Sequence, residues 1–285
     1  MNEPRLPSVC VVGLGLMGRP MARTLSAAGV PVTGWNRSAL VPDLIDGIDA
    51  VPSLEEASMA DVLLLILSDS TATDAVLEQV EPFLDPGQVV LDMGSSDPAR
   101  TAEHAPRLAR RGIGWVDAPV SGGPEGARSG SLAIMAGGAE ADFELVRPLL
   151  EVLGSVTLVG GPGAGHTTKV VNQLICGLAI QAVAEGLTLA ERAGLDPRRV
   201  QEALRGGFAD SKVLQLHGTR MVERAYVPGG KASTHLKDMR LAAALAAAVG
   251  ADLPSARLVE DRYARLVEQG DGDLDHSALH KLLWD

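Results

Sequence analysis

Residues Gly163–Ala193 read GAGHTTKVVNQLICGLAIQAVAEGLTLAERA and predict one helix of roughly thirty residues. At about 1.5 Å per residue such a helix is roughly 40 Å long, more than the width of a small domain, so we expect it to join two bodies. No residue from Val170 to Ala184 is charged, and apolar residues occupy every face of the helix. This pattern predicts a segment that is buried on all sides.

Lys169 lies near the start of this predicted helix. A lysine there either reaches water or lies in a cleft, where desolvation lowers the pKa of a lysine and lets it transfer protons near neutral pH. The residue alone favours water, because lysine is rarely buried without a partner. Asn172 follows at i+3 and therefore shares a helix face with Lys169.

Length and charge limit the class of protein. The chain has 285 residues, more than one hydrophobic core usually organises, so we expect two domains. The apolar content of 46% is ordinary for a soluble globular protein. A formal net charge of -11 argues against a nucleic-acid partner, which requires a basic surface.

Three features predict a cytoplasmic protein with no membrane segment. The N-terminal MNEPRLPS lacks the basic-then-apolar order of a signal peptide, and no apolar run approaches the ~18 residues that cross a bilayer. Cys10 and Cys176 have apolar neighbours in sequence, which favours core thiols over a disulfide. Reduced thiols suit a reducing compartment.

The first half of the chain alternates predicted strands and helices, a pattern typical of a parallel sheet with helices on both faces. Apolar runs predict strands at Ser8–Gly13, Pro31–Asn36, Asp61–Leu67 and Gln88–Met93, and a strand that ends at Val116–Asp117. Helical patterns lie between them at Leu14–Ala28, Ala72–Phe83 and Pro98–Arg110.

The junction of the first strand and helix has the GxGxxG spacing, Gly13-Leu14-Gly15-Leu16-Met17-Gly18. Gly13 permits a tight turn, Gly15 lets a pyrophosphate approach the backbone, and Gly18 lets helix and strand pack closely. The helix N-terminus then offers N–H groups and a positive dipole end to the anion. In this context the motif predicts dinucleotide binding, and the alternative is a structural glycine turn.

The end of the second strand, Asn36-Arg37-Ser38, bears on the choice of nicotinamide cofactor. A carboxylate there would accept from the ribose 2′-hydroxyl of NAD, whereas an arginine can pair with the 2′-phosphate of NADP. Arg37 therefore favours NADP(H), with NAD(H) still possible because Asp43 and Asp46 follow shortly after. The alternative is that Arg37 only caps a loop.

Polar loops follow three later strands, at Leu67-Ser68-Asp69, Gly94-Ser95-Ser96 and Asp117–Gly123. Ligands of open parallel sheets collect at the carboxyl ends of strands, so we expect these loops around one cleft. In the last loop, DAPVSGG, the serine and two glycines allow successive backbone N–H groups to converge on a carboxylate. A loop that needs flexibility explains the same residues equally well.

Beyond Lys169 the strand patterns stop. Helices are predicted at Val171–Ala193, Pro197–Leu204, Val213–Val222, Leu236–Val249, Pro254–Glu268 and Ser277–Trp284. An α/β half followed by a helical half predicts a two-domain dehydrogenase, with the nicotinamide in the cleft between the halves.

Five motifs fall in the order and at the separations of one enzyme family: GLGLMGRPMA, DMGSS, DAPVSGG, GAGHTTKVVNQ and HLKD. Through them the chain resembles the β-hydroxyacid dehydrogenases, the 3-hydroxyisobutyrate dehydrogenase-like family, over essentially its whole length. The resemblance implies an α/β fold with a Rossmann-type doubly wound domain at residues 1–162. It also implies an all-α domain at 163–285, which begins with the interdomain helix 163–193.

The same resemblance implies an NAD(P)-dependent oxidoreductase that transfers hydride between the nicotinamide and a small semialdehyde or β-hydroxyacid. Ala203–Leu214, Asn172-Gln173 and Leu274–Leu279 are similar to the branch that reduces 2-hydroxy-3-oxopropionate (tartronate semialdehyde) to glycerate. The alternatives are 3-hydroxyisobutyrate or another short β-hydroxyacid, an imine, against which Lys169 speaks, and a non-catalytic dinucleotide-binding module.

The family's roles transfer to the matching positions of this chain. Lys169 resembles the catalytic lysine, whose ammonium would stabilise and protonate the carbonyl oxygen, and Asn172 the residue that orients it or the substrate. The resemblance assigns substrate contacts to Ser121, Gly122, Gly123 and Gln173. It assigns cofactor contacts to Gly13, Leu14, Gly15, Leu16, Met17, Gly18, Asn36, Arg37, Ser38, Leu67, Ser68, Ser95 and Lys237, with Asp238 beside the last.

Three positions depart from the family pattern. Ser68 replaces a proline, Gly94 replaces the first serine of a DMSS-like motif, and Gly230 replaces a phenylalanine shortly before the Lys237-Asp238 pair. The last change removes an aromatic ring near the site, so we expect a substrate pocket of different size.

No metal is expected from the six histidines. His276 and His280 have the i,i+4 spacing of a zinc pair, but no third ligand spacing accompanies them. His166 is expected in a water-exposed loop, with a contact to the site as the alternative, and the same alternatives stay open for His235. The apolar interdomain helix and the alanine-rich helices predict a homo-oligomer, a dimer or tetramer. The expected substrate is a small carboxylate.

Overall fold

The computed structural model describes residues 6–38 and 47–284. Within this part of the chain there are two compact units, one ending at Lys169 and the other beginning at Val170. The first is a sheet flanked by helices, and the second is almost entirely helical.

The sheet of the first unit contains nine strands in the described residues. They are β1 (Val9–Val12), β2 (Val32–Trp35), β3 (Asp49–Ala50), β4 (Val62–Leu65), β5 (Val89–Asp92), β6 (Gly114–Asp117), β7 (Val120–Ser121), β8 (Leu132–Gly138) and β9 (Gly154–Gly160). The order across the sheet is β3-β2-β1-β4-β5-β6-β8-β7, with β9 paired to β8.

The pairs from β3 to β6 are all parallel, whereas β8 runs antiparallel to β6 and β7. The chain leaves β1 first toward β2 and later returns to β4 on its other side. Such a reversal of strand order is the place where open parallel sheets bind ligands, beyond the carboxyl ends of the strands.

Helices cover both faces of this sheet. They are α1 (Gly18–Ala27), α2 (Leu54–Ala57), α3 (Ser70–Val80), α4 (Pro98–Ala109), α5 (Gly123–Ser129) and α6 (Glu140–Leu153), with a 3₁₀ turn at Glu81–Phe83. In β1, Val9 and Val11 face one core and Cys10 and Val12 the other, because successive side chains of a strand point to opposite sides. Helices α1, α5 and α6 pack on the first core and α2, α3 and α4 on the second.

The second unit is built from most of α7 (Ala164–Arg192), α8 (Pro197–Leu204), α9 (Lys212–Glu223), α10 (Ala232–Ala248) and α11 (Pro254–Leu266), a π-helical turn (Val267–Asp271) and a 3₁₀ helix (His276–Leu283). Its core contains Ile180 and Ala184 of α7, Met239 of α10 and Tyr263 of α11. These residues recur at helical spacing, so each helix presents one apolar stripe to the shared core.

The prediction that the long helix is buried on all sides is wrong for the chain by itself. Val171, Ile175 and Leu189 of α7 are 47%, 61% and 72% exposed, although Ile180 is fully buried. Among the described residues α7 is also long and apolar enough to span a membrane. Length and composition are weak evidence here, because a core helix passes the same test and α7 supplies Ile180 and Ala184 to the core of the second unit.

The predicted fold class is confirmed, with a Rossmann-type sheet, a long helix and a helical C-terminal region. Between Asp117 and Gly163, where no element is predicted from the sequence, the structure has β7, α5, β8, α6 and β9. The sheet therefore continues past β6 with an antiparallel extension that the alternating pattern did not reveal.

Candidate active site

The GxGxxG glycines occupy the tight turn between β1 and α1. Gly13 has φ +104°, and a Cβ there would lie 2.5 Å from the carbonyl oxygen of Ile66. A Cβ on Gly18 would lie 2.0 Å from the carbonyl oxygen of Gly13, whereas one on Gly15 would meet nothing within 4 Å. Gly13 and Gly18 are thus required by the packing of the turn, and Gly15 faces open space where an anion can approach the backbone.

Residues predicted to hold the cofactor ribose follow β2. The side-chain oxygen of Asn36 accepts from the Leu14 N–H at 3.1 Å, and its amide donates to the Ser38 carbonyl at 3.0 Å. Asn36 therefore ties the end of β2 to the glycine turn, while Arg37 and Ser38 are exposed just beyond it. Asp43 and Asp46 lie outside the described residues.

The loops after β4 and β5 lie next to each other. Ser68 donates to Asp69 at 2.8 Å, and Asp69 caps α3 by accepting the Ala72 N–H. A Cβ on Gly94 would lie 3.1 Å from the Leu67 carbonyl oxygen and 3.1 Å from Asp92 Oδ1. A side chain at position 94 would therefore crowd both oxygens. Ser95, which follows, is half-buried.

Lys169 is half-buried in the second turn of α7. Its Nζ donates to the carbonyl oxygen of Val120 at 2.8 Å. Val120 and Ser121 form β7, and Gly122 and Gly123 follow with φ +136° and φ +64°. The amine thus lies beside the turn that the sequence assigned to a carboxylate, and the two positive φ values require glycine there.

In the second unit, predicted site residues form one hydrogen-bonded chain. Asn172 Nδ2 donates to Gln173 Oε1 at 2.9 Å, and Gln173 Nε2 donates to Asp238 Oδ2 at 2.6 Å. Lys237 Nζ lies 3.3 Å from Asp238 Oδ1. The buried Asp238 is therefore the link between Gln173 of α7 and Lys237 of α10.

The expectation that His166 is exposed in a loop is wrong. His166 lies in the first turn of α7 and is fully buried. The carboxylate of Asp117 accepts the backbone N–H of Gly163 and of His166, each at 2.8 Å. Burial raises the pKa of Asp117, and His166 and the two N–H groups oppose that rise.

Sequence reasoning missed this buried group, although Asp92 and Asp117 stand in the quoted motifs DMGSS and DAPVSGG. The signal was present in the position of each aspartate at the last residue of a buried strand. A charged residue that ends an apolar strand usually has a buried partner. His166 is the imidazole that lies nearest to both carboxylates.

The second unit contains a separate histidine cluster. His217, Asp275 and His276 place possible metal-ligand atoms within 4.8 Å of one another. Both oxygens of Asp275 already accept hydrogen bonds, from Arg220 and Gly229 on Oδ2 and from the N–H and hydroxyl of Ser277 on Oδ1. The carboxylate is thus committed to anchoring its own loop, beside a guanidinium that repels cations.

The expected i,i+4 pair of His276 and His280 does not share a helix face. The segment is a 3₁₀ helix, with three residues per turn, so the two side chains diverge. His280 contacts the Tyr226 hydroxyl at 3.0 Å, whereas His276 lies 3.3 Å from His235. The His276 ring also lies beside Gly230, where a Cβ would be 3.5 Å from it.

Comparison with known proteins agrees with this architecture. Residues 8–161 match the NAD binding domain of 6-phosphogluconate dehydrogenase, and residues 163–283 match the NAD-binding domain of NADP-dependent 3-hydroxyisobutyrate dehydrogenase. The chain is 40% identical over 280 residues to the 2-hydroxy-3-oxopropionate reductase of Escherichia coli (strain K12), with 95% of each chain covered.

Two further similarities extend over nearly the whole chain. It is 37% identical to the probable 3-hydroxyisobutyrate dehydrogenase-like 2, mitochondrial, of Arabidopsis thaliana, over 95% of this chain and 92% of that one. The crystal structure of 3-hydroxyisobutyrate dehydrogenase (ygbJ) from Salmonella typhimurium superposes with a TM-score of 0.87 at 30% identity, covering 96% of this chain and 99% of that one. The chain therefore belongs to the 3-hydroxyisobutyrate dehydrogenase-like family of NAD(P)-dependent oxidoreductases that act on the CH–OH group of hydroxyacids.

Proposed function

We propose that the protein is an NADP(H)-dependent reductase that converts 2-hydroxy-3-oxopropionate to glycerate. The observation that carries this proposal is the Lys169 amine, held 2.8 Å from the Val120 carbonyl beside the Ser121–Gly123 turn. The relative that supports this substrate is the Escherichia coli 2-hydroxy-3-oxopropionate reductase, 40% identical over 95% of this chain. The second candidate is 3-hydroxyisobutyrate or another short β-hydroxyacid, because the Arabidopsis thaliana relative carries that name.

Lys169 has the acid–base role in this proposal. When bound, NADPH supplies the hydride that reduces the aldehyde carbon. The carbonyl oxygen gains negative charge as the new C–H bond forms, and the Lys169 ammonium stabilises that charge and then donates a proton to the oxygen. In the oxidative direction the neutral amine of Lys169 removes the hydroxyl proton.

The substrate carboxylate is assigned to the turn at Ser121, Gly122 and Gly123. The two glycines hold consecutive peptides at positive φ, which lets their N–H groups point to one side together with the serine hydroxyl. Asn172 and Gln173, which follow Lys169 along α7, are assigned to orient the substrate. The contacts of Ser121, Gly122 and Gly123 with the substrate carboxylate would hold the aldehyde carbon in one place, which lowers the entropic cost of reaction.

The cofactor is assigned to the carboxyl ends of β1, β2, β4 and β5. The open space at Gly15 fits the pyrophosphate, and the exposed guanidinium of Arg37 fits the 2′-phosphate of NADP. Leu67, Ser68 and Ser95 follow the next two strands. The resemblance to the family adds Lys237 as a further cofactor contact. This arrangement supports NADP(H) over NAD(H).

The decisive experiment follows oxidation of NADPH and NADH by the loss of nicotinamide absorbance. It compares 2-hydroxy-3-oxopropionate, methylmalonate semialdehyde, succinic semialdehyde and a cyclic imine. The proposal requires the highest kcat/KM with 2-hydroxy-3-oxopropionate and NADPH. Faster turnover of methylmalonate semialdehyde selects the second candidate, and turnover of the imine alone defines an imine reductase. No turnover of any, with equal NADPH binding in Lys169→Ala, defines a binding module.

We further propose a cytoplasmic homo-oligomer, a dimer or tetramer. Val171 and Ile175 are one turn apart on α7 and expose an apolar face that a second copy of the chain can cover. The cytoplasmic location is supported by the cysteines, since Cys10 and Cys176 form no disulfide.

A further inference from the structure

The start of α7 is fastened to the sheet at its first turn. The first N–H groups of a helix have no partner within the helix, and a carboxylate at this end also meets the positive end of the helix dipole. Asp117, the last residue of β6, supplies that carboxylate and accepts the N–H groups of Gly163 and His166 at 2.8 Å each. The helix therefore begins at a point fixed by a buried strand.

The His166 side chain adds a second fastening. Its Nδ1 lies 2.7 Å from the hydroxyl of Thr101 in α4, and its Nε2 lies 3.7 Å from Asp92 Oδ2 at the end of β5. Asp92 in turn accepts the Ser96 hydroxyl at 2.8 Å and the Gly94 N–H at 2.9 Å. Of these two ring contacts, the one to Thr101 is a hydrogen bond, whereas the one to Asp92 is longer than a hydrogen bond. The imidazole therefore bonds α7 to α4 and packs against the Asp92 carboxylate.

The packing at this turn leaves no slack. A Cβ on Gly165 would lie 2.3 Å from the Asp117 carbonyl oxygen and 2.4 Å from that of Met135. The helix backbone therefore rests directly on the backbone of β6 and β8. Because this first turn of α7 is closely packed on the two strands, it cannot shift without moving the residues that follow it in the helix.

Lys169 is one turn beyond His166 and lies on the same helix face. Its amine reaches Val120, in the segment that begins at Asp117. Two contacts therefore join this segment to α7. The first is the backbone N–H of His166 on Asp117 at the helix start, and the second is the Lys169 amine on Val120. The position of the amine depends on the first contact as well as on the second.

We propose that His166 is a positioning residue, whose ring fastens the start of α7 to Thr101 and fills the space beside Asp92 and Asp117, so that the Lys169 amine stays at the Val120 carbonyl. The inference rests on the proposed function in that Lys169 is the acid–base group. It extends the site to an imidazole that lies between two buried aspartates and has no solvent-exposed surface itself.

The test uses His166→Leu, which removes both ring nitrogens, and His166→Asn, whose amide can replace the contact of Nδ1 with Thr101. Thr101→Val removes the same contact from the other side with little change of shape. The matched control is His104→Leu, also a buried histidine of the first unit, which contacts Asp74 at 2.8 Å. For each protein, kcat, KM, the pH profile of kcat and NADPH binding are measured.

We expect His166→Leu to lower kcat about a hundredfold and to shift its pH profile, because misplacement of a reacting group by about 1 Å has effects of that size. NADPH binding should stay unchanged. Thr101→Val should change kcat in the same direction, and His166→Asn should recover most of the rate. Equal kcat and pH profiles in wild type, His166→Leu and Thr101→Val would overturn the proposal, as would an equal fall of kcat in His104→Leu.

A second readout separates this inference from the proposed function. The NMR signal of ¹³C-methylated Lys169, assigned with Lys169→Arg, is titrated in wild type and in each variant. The inference predicts an altered titration in Thr101→Val and His166→Leu but not in His104→Leu, whichever substrate the enzyme takes. An unaltered titration in both variants would overturn it even if the reductase activity is found.

Discussion

At the residue scale, the proposed preference for NADP(H) rests on Arg37. An exposed arginine that pairs with a phosphate contributes the free energy of a charge-assisted hydrogen bond, about 1.5–3 kcal/mol. Arg37→Ala should therefore raise the KM for NADPH at least about tenfold and change the KM for NADH little. Steady-state kinetics with both cofactors measure this, with Arg110→Ala, an exposed arginine at the end of α4, as the control. An equal rise for both cofactors would refute the assignment to the 2′-phosphate.

Gly15 and Gly18 allow a second test at this scale, because the structure gives them different roles. A methyl group on Gly15 meets nothing within 4 Å, whereas one on Gly18 would lie 2.0 Å from a carbonyl oxygen. Gly18→Ala should lower the free energy of unfolding by about 1–3 kcal/mol. Gly15→Ala should leave stability within about 0.5 kcal/mol of wild type but weaken NADPH binding. Thermal unfolding measures the stability of both variants, and NADPH titration measures their binding. An equal loss of stability in both variants would contradict these different roles.

His166 shows what the sequence could not reveal about single residues. The letters GAGHTTK contain two glycines just before the histidine, and nothing local indicates that its ring is buried. Burial comes from Asp92 and Asp117, which are far away in sequence and meet because β5 and β6 are neighbours. Lys169, Asn172 and the glycines could be predicted as site residues because their motifs are local.

At the element scale, the 3₁₀ helix that begins at His276 makes the second unit sensitive to acid. Burial, followed by the nearby His235 of α10 and His217 of α9, lowers the pKa of His276 to about 3 from its ordinary 6.5. Asp275 acts in the opposite direction and Arg220 adds to the lowering. The unfolded chain takes up this proton near pH 6.5 and the folded chain only near pH 3, so falling pH across that window favours unfolding.

The wild-type protein should lose about 2 kcal/mol of unfolding free energy from this group between pH 6.5 and pH 5. His276→Gln removes the titrating ring and should reduce the loss by that amount. Denaturant unfolding at the two pH values, followed by tryptophan fluorescence, to which Trp284 at the end of this helix contributes, measures the difference. An identical acid dependence in the variant would show that His276 does not contribute.

Most elements followed from local patterns, and the missed strands discussed here were missed for two reasons. The buried strands β1, β4 and β5 are continuous apolar runs, and helices such as α3 and α4 begin at capping aspartates. Strands β3 and β7 have two residues each, too few for any periodicity. The antiparallel β8 was missed because its partner β6 is set by the whole sheet and not by its own residues.

At the scale of the whole molecule, the exposed apolar face of α7 predicts association of the chain with itself. Val171 and Ile175 are 47% and 61% exposed. Light scattering coupled to size-exclusion chromatography should give the mass of a dimer or tetramer, and Ile175→Glu should shift it toward the monomer because a charge would be buried without a partner. The control is Arg192→Glu at the end of the same helix. Thr188→Glu is less suitable because Thr188 is half-buried. A wild-type monomer at micromolar concentration would contradict the prediction.

The plan of two domains, residues 1–162 and 163–285, remains a prediction from the sequence. The resemblance to the family supplied it, since the motifs span both halves and the pattern changes from strands to helices near Lys169. What no local pattern supplies is the degree of burial along α7. That quantity depends on which surfaces meet after folding, so the apolar stretch was read as buried on all sides although Ile175 is exposed.

The proposed acid–base role of Lys169 is tested most directly by the single-turnover rate of NADPH oxidation in Lys169→Ala with 2-hydroxy-3-oxopropionate. We predict a rate lower than wild type by roughly 10³-fold, because the proton donor for the carbonyl oxygen is lost. NADPH binding and thermal stability should be unchanged. A variant that binds NADPH normally and retains most of the wild-type rate would show that another group protonates that oxygen.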